Sequence, residues 1–341
     1  MDKYKALPTH FAWRPYIPLG TISLLAGEPG LGKSQLQAWI AAQVTQGTLE
    51  GDLYGKPASV FLVSAEDSTE RTIVPRLDAA GCDRSKVYDL GVIEEGSDFI
   101  GAVDLQRNIT SVQRLMRKKE VGVFLLDPIV NFIGEGDTHK DGDIRRALAP
   151  IAKVAEEENC AILGIAHLNK GESANALNRI TGTKAWSAVA RSVLFLGAEA
   201  QDEDTRHLVH VKANMSRKGP SLSCHVEELE IEGAAAPVMT SRIVIDGPSN
   251  ARASDLIVAE SAGEVTEREE AERFLRQELV DGREQPAKEL QARAMKELNV
   301  SAKTLVRAKK RIGVESTQIP ACGETKAYWV WGIPAKRKAK Q

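Results

Sequence analysis

The chain reads as an α/β protein with a mainly parallel central sheet, followed by a small helical domain. Three observations carry that reading. Short apolar runs alternate with helical patterns through the first two-thirds of the chain, as expected for parallel strands joined by crossover helices. A glycine-rich turn joins the first strongly apolar run to the first helix. Beyond residue 246 the alternation stops, and short amphipathic helices take over. The 341 residues, 43% of them apolar, supply enough material for a large core and suggest two domains.

Taken in order, residues 21–26 (Thr-Ile-Ser-Leu-Leu-Ala) form a buried strand. A helix over 34–46 places Leu36, Trp39, Ile40 and Val44 at helical spacing. Strands are expected at 58–64, 87–93, 121–126, 160–166, 190–197 and 207–213, and helices at 71–80, 105–119 and 144–158. After a run at 242–246, the Gly-, Ser- and Ala-rich stretch 247–266 reads as a linker, although Leu256-Ile257-Val258 fits a short strand or helix. Helices at 267–280, 287–298 and 302–312 follow, the second opening after Pro286 and the third capped by Ser301. Residues 314–319 and 326–331 would pair as a hairpin. Helix, helix, helix and hairpin give the outline of a winged helix-turn-helix. The expected domains are thus 1–246, a linker 247–266, a winged helix 267–334 and a basic tail 335–341.

The net charge of −2 by itself points to no polyanionic partner. It conceals a basic end, because residues 301–341 carry ten Lys and Arg against two acidic residues. Cysteines at 82, 160, 224 and 322 have neither zinc-site nor paired spacing, and reduced thiols of a cytoplasmic protein are expected. The N-terminus shows no signal-peptide pattern, and no apolar run approaches the ~18 residues of a membrane span.

The chemistry starts at Gly27-Glu28-Pro29-Gly30-Leu31-Gly32-Lys33-Ser34, which fits G-x-x-x-x-G-K-[ST] and lies between a strand and a helix. Backbone N–H groups of such a loop, running on to Gln35, cradle phosphates at a helix N-terminus. Lys33 reaches the β- and γ-phosphates, and the Ser34 hydroxyl ligates Mg²⁺. Asp127 ends the apolar run 121–126 and is the second expected Mg²⁺ ligand. Hydrolysis needs a carboxylate to orient water. Pro128 stands directly after Asp127, so the candidate is Glu66, with Asp67 as second choice, at the end of the 58–64 strand. Asn169-Lys170-Gly171-Glu172 approximates a guanine-reading motif but has the wrong acidic residue, so ATP is expected rather than GTP.

Together these residues resemble the RecA-fold P-loop NTPases, specifically the RepA-like hexameric replicative helicases of plasmids and phages, over about residues 10–230. The resemblance implies that Glu66 is the catalytic glutamate and His167 a γ-phosphate sensor ending the fourth core strand. It implies a central-channel loop at 170–184 in which Lys170, Arg179 and Lys184 contact single-stranded DNA. It also implies a homo-hexameric ring in which Lys212 and Arg217, with Lys218 as a rival to Arg217, reach the neighbouring subunit's nucleotide.

At the basic end, the 302–312 helix carries Lys303, Arg307, Lys309, Lys310 and Arg311 beside its apolar stripe. It is suited to duplex DNA, with Lys303, Arg307 and Lys310 the main contacts and Tyr328, Trp329, Trp331 and the Lys-Arg-Lys tail adding backbone contacts. The same helices could instead form a protein–protein module. The resulting expectation is an ATP-hydrolysing, DNA-acting motor, a helicase in its specific form. The alternatives are a recombination or repair ATPase without unwinding, and an ATP-switched DNA-binding regulator or loader.

Overall fold

The computed structural model describes residues 5–90, 92–93, 100–101, 104–134, 140–168, 176–180, 184–199, 202–279, 283–298, 300–320 and 327–333. The chain divides into two compact units, Met1–Ile257 and Val258–Gln341.

The first unit opens with a small antiparallel pair, β1 (Phe11–Trp13) and β2 (Ile17–Pro18). There follow β3 (Ile22–Ala26), α1 (Lys33–Gln46) and β4 (Ser59–Ser64). A single π-helical turn, Thr69–Ile73, then leads into α2 (Val74–Ala79). Next come β5 (Val87–Asp89), the short pair β6 (Val92–Ile93) and β7 (Ile100–Gly101), α3 (Leu105–Lys119), β8 (Val121–Asp127), α4 (Asp141–Glu158) and β9 (Ala161–Ala166). The unit continues through α5 (Ala176–Arg179), α6 (Lys184–Val189), β10 (Ser192–Glu199), β11 (Asp202–Ala213), β12 (Ser221–Ile231) and β13 (Val238–Ser249).

Nine of these strands form one sheet in the order β13-β12-β11-β10-β3-β9-β8-β4-β5. The six from β10 to β5 are parallel, and β11, β12 and β13 are added antiparallel. Strands β3, β8 and β9 are buried along their whole length, which explains their unbroken apolar sequence. One core cluster on the sheet includes Phe61, Phe124, Leu126, Ile151 and Phe195; a second includes Leu25, Leu36, Ile40, Leu125 and Leu194.

The register matters for function. Ala26 pairs with both Ala166 and Phe195, and Ser64 pairs with Asp127. The residues following β3, β4 and β9 therefore converge with the end of β8 along one edge, where open parallel sheets bind ligands.

Several expectations change. Strand β12 carries no clear strand pattern in its sequence, because half its side chains are polar and partly exposed. The expected strand at 87–93 is two elements in different sheets. The expected linker 247–266 is instead the end of β13 and the first part of a 26-residue helix, α7 (Ala253–Glu278). Alanine, a strong helix former, outweighs the small-residue composition that suggested a linker. Leu256 and Ile257 are buried in the first unit's core.

In the second unit, the α7 residues Ala271, Phe274 and Leu275 share a core with residues of α8 (Ala287–Leu298) and α9 (Ala302–Ile312). A three-stranded sheet in the order β14-β16-β15 completes it, formed by β14 (Gln285–Pro286), β15 (Glu315–Ile319) and β16 (Tyr328–Gly332). Ser301 caps α9, its Oγ accepting the Thr304 N–H at 3.1 Å. The basic tail 335–341 lies outside the described residues. No described helix is long and apolar enough to cross a membrane.

Candidate nucleotide site

The loop between β3 and α1 takes a shape that only glycine permits at key points. Gly30 and Gly32 hold φ of 85° and 95°, the left-handed region. Gly27 presses on β10 so closely that a Cβ there would lie 2.4 Å from the Leu196 carbonyl oxygen. Pro29 and Gly30 form the exposed tip. Lys33 is buried, and its Nζ donates to the Glu28 carbonyl at 2.8 Å across the loop. Phosphate oxygens arriving there would take over that donor.

Ser34 Oγ donates to Asp127 Oδ2 at 2.7 Å, which joins the loop's helix to the end of β8. Asp127 is 8% exposed. Burial pushes its carboxyl above the ordinary range, the Ser34 bond opposes that, and the neighbouring Asp67 and Glu66 charges push it further up. A hydroxyl and a carboxylate among further acidic groups form the all-oxygen donor set that Mg²⁺ prefers. The pair fits Mg²⁺ bound with a nucleoside triphosphate, which Ser34 and Asp127 would hold from the protein side.

At the end of β4, Ser64 Oγ accepts the backbone N–H groups of Glu66 (3.4 Å) and Asp67 (3.2 Å) and fixes the turn that presents both carboxylates. They then part. Asp67 Oδ2 accepts from Arg76 Nη1 of α2 at 2.6 Å and lines a small pocket with Ser34, Gln37, Ser64 and Asp127. Glu66 keeps a side chain 59% exposed, and its Oε1 lies 4.0 Å from His167 Nε2 at the end of β9. Of the two candidates for orienting water, Glu66 therefore has the less committed carboxylate. Sequence reading missed Gln37, whose buried amide donates to the carbonyls of Leu126 (3.3 Å) and Leu163 (3.2 Å). It ties α1 to β8 and β9 at once.

Other expected residues are placed differently. The Gln35 side chain is spent on Ser241 of β13, donating to its Oγ at 3.1 Å. Arg179, expected as a channel contact, is buried here, and its Nη2 donates to Glu28 Oε1 of the phosphate loop at 2.7 Å. Lys212, expected to reach a neighbour's nucleotide, is engaged within this chain. Its Nζ donates to the carbonyls of Ser187 (2.6 Å) and Ala190 (2.7 Å), closing the C-terminal end of α6. Burial, with Arg191 nearby, lowers its pKa. Arg217 and Lys218 are exposed between β11 and β12. Lys170 lies outside the described residues, as does the side chain of Lys184, which opens α6.

In the second unit, Lys303, Arg307 and Lys310 lie exposed at i, i+4 and i+7 on α9, with Val306 between them. Two basic residues expected to share this surface are engaged within the unit. Lys309 lies 4.5 Å over the Trp331 ring and bonds Ser316, and Arg311 pairs with Glu272 at 3.4 Å. Trp331 is core, which corrects its expected DNA contact, whereas Tyr328 and Trp329 are exposed.

Comparison with known proteins agrees with this geometry. The AAA domain family matches residues 2–173, half of the chain and the part that holds the phosphate loop, Glu66, Asp127 and His167. DNA repair protein RadA of Bacillus subtilis (strain 168) is 23% identical over 247 residues, which cover 72% of this chain and 46% of that protein. The chain thus spans about half the length of the curated relative it matches. With its phosphate loop, its Ser34–Asp127 pair and its parallel sheet, the chain belongs to the AAA domain family, and the likeness to RadA supports a RecA-like P-loop ATPase.

Proposed function

We propose that this ATPase is a ring-forming motor acting on DNA, most specifically a replicative helicase of the RepA-like type. The observation that carries the hydrolytic part of the proposal is the convergence of Lys33, Ser34, Asp127, Glu66 and His167 on one edge of the parallel sheet. Lys33 and the loop N–H groups bind the β- and γ-phosphates. Ser34 and Asp127 would hold a Mg²⁺ ion, which would supply positive charge beside the phosphates. Glu66 orients the attacking water, and His167, beside it, senses the γ-phosphate. The exposed Arg217 is the finger offered to a neighbouring copy's site, with Lys218 beside it as the rival. Three helices with a three-stranded sheet support a winged helix in the second unit, whose Lys303, Arg307 and Lys310 face favours contact with duplex phosphates.

A second reading, a recombination or repair ATPase that does not unwind duplex, is favoured by the likeness to DNA repair protein RadA.

The shared site gives a direct test. Glu66→Gln and Arg217→Ala subunits are each inactive alone. Mixed, they place an intact Glu66 against a neighbour's intact Arg217 at some interfaces, and random assembly restores about a quarter of wild-type hydrolysis. A mixture as inactive as its parts would reject Arg217 as a finger acting between subunits. Lys218→Ala in its place decides between the two residues.

A further inference from the structure

Burying a charge is costly unless it is paired, so the positions where a fold does so are informative. Among the residues whose side-chain burial is described, the only Lys, Arg, Asp or Glu that are buried are Lys33, Asp127 and Arg179. The first two belong to the phosphate site. Arg179 comes 151 residues after its partner Glu28 in sequence, yet it too closes on the phosphate loop.

Glu28 is held twice. Its carboxylate accepts from Arg179 at 2.7 Å, and its backbone carbonyl accepts from Lys33 at 2.8 Å. On the other side, Arg179 is followed by Ile180, which is buried and forms an antiparallel bridge with Leu168. Leu168 directly follows His167. A continuous line of contacts therefore runs from the His167 end of β9 through Ile180, Arg179 and Glu28 to the base of the phosphate loop.

We propose that Arg179 is a positioning residue of the nucleotide site: through Glu28 it fixes the phosphate loop against the strand that carries His167. The inference rests on nucleotide binding at this loop and assigns Arg179 to it. Arg179 contacts neither phosphate nor DNA. It pre-organises the loop, so that binding does not first have to order it. The loop residues directly after Glu28, Pro29 and Gly30, are exposed and have no core packing to hold them.

The test is fluorescent ADP and ATP analogue binding with Mg²⁺ and no DNA, on the full chain. Arg179→Ala and Glu28→Gln each weaken nucleotide affinity about tenfold. The double variant is no weaker than either single one, because one interaction has been removed by two routes. Arg179→Lys recovers part of the loss, since a cation is restored without the guanidinium's geometry. Single-stranded DNA affinity, measured without nucleotide, stays at the wild-type value in Arg179→Ala.

Nucleotide affinity within twofold of wild type in both single variants would overturn the assignment. So would a loss of DNA affinity with nucleotide affinity intact, which returns Arg179 to a DNA-contact role. If Arg179→Ala fails to fold, Glu28→Gln carries the test alone, because its side chain is more than one-third exposed. A wild-type chain that binds no nucleotide would overturn the reading of the site itself, whereas wild-type binding with unaltered variants overturns Arg179 only.

Discussion

Replacing Glu66 with Gln should lower kcat for ATP hydrolysis by about 10²- to 10⁴-fold while nucleotide still binds. The Gln keeps the size and much of the polarity of the side chain, but it cannot draw a proton from water. The backbone turn that presents position 66 depends on Ser64 and survives the change. Asp67→Asn should cost less in kcat, because that carboxylate is already committed to Arg76 at 2.6 Å. Its effect should fall on the small pocket shared with Ser34 and Asp127. Steady-state kcat and KM for both variants decide the matter, together with nucleotide affinity measured separately. A larger kcat loss for Asp67→Asn would exchange the two roles.

Asp127→Asn should abolish Mg²⁺-dependent hydrolysis, by about 10³-fold or more, and at the same time stabilise the ligand-free protein. The two effects have one cause. Burial raises the Asp127 carboxyl above its ordinary pKa, so its ionised form costs more in the folded chain than in the unfolded one. The stability that this proton contributes is complete below the unfolded-state pKa and is lost as pH rises through the raised folded-state value. At neutral pH the ionised carboxylate, with Asp67 and Glu66 near it, is a cost that Mg²⁺ offsets. Asn avoids that cost and can still accept from Ser34. Thermal unfolding without Mg²⁺ should show a higher Tm for the variant than for wild type at pH 7. The difference should shrink as pH falls toward the carboxylate range. An unchanged or lower Tm at pH 7 would contradict this account of the site.

What could be read from sequence follows from the range of the interactions involved. The phosphate loop is local: its glycines, Lys33 and Ser34 are adjacent in the chain, and each is demanded by a stated contact. Asp127 was legible because an unbroken apolar run signals a fully buried parallel strand with a ligand edge at its end. Glu66 and Asp67 are adjacent in the chain, and what separates them in the structure is Arg76, on the following helix, which engages Asp67.

The residues whose surroundings the sequence does not show are those whose partners lie far away or whose position depends on packing. Arg179 looks like any basic residue in a polar segment until Glu28 is beside it. Lys212 sits in a strand but is spent on the end of a helix about 25 residues earlier. Lys309 and Arg311 share an exposed-looking helix with Lys303 and Lys310, yet Trp331, Ser316 and Glu272 engage them. The helix across the expected linker shows the converse. Gly, Ser and Ala there suggested irregular chain, but Leu256 and Ile257 give its first turns an apolar anchor in the core.

The most direct measurement is steady-state ATP hydrolysis by the full chain with and without single-stranded DNA, at low and moderate salt, with Lys33→Ala as control. Lys33 is buried across the phosphate loop, so its removal should abolish turnover under every condition. For the wild-type chain, single strands should stimulate hydrolysis severalfold, and the stimulation should weaken as salt displaces phosphate contacts. Hydrolysis that depends on Lys33 but is indifferent to single-stranded DNA at both salts would leave the ATPase in place and contradict the motor.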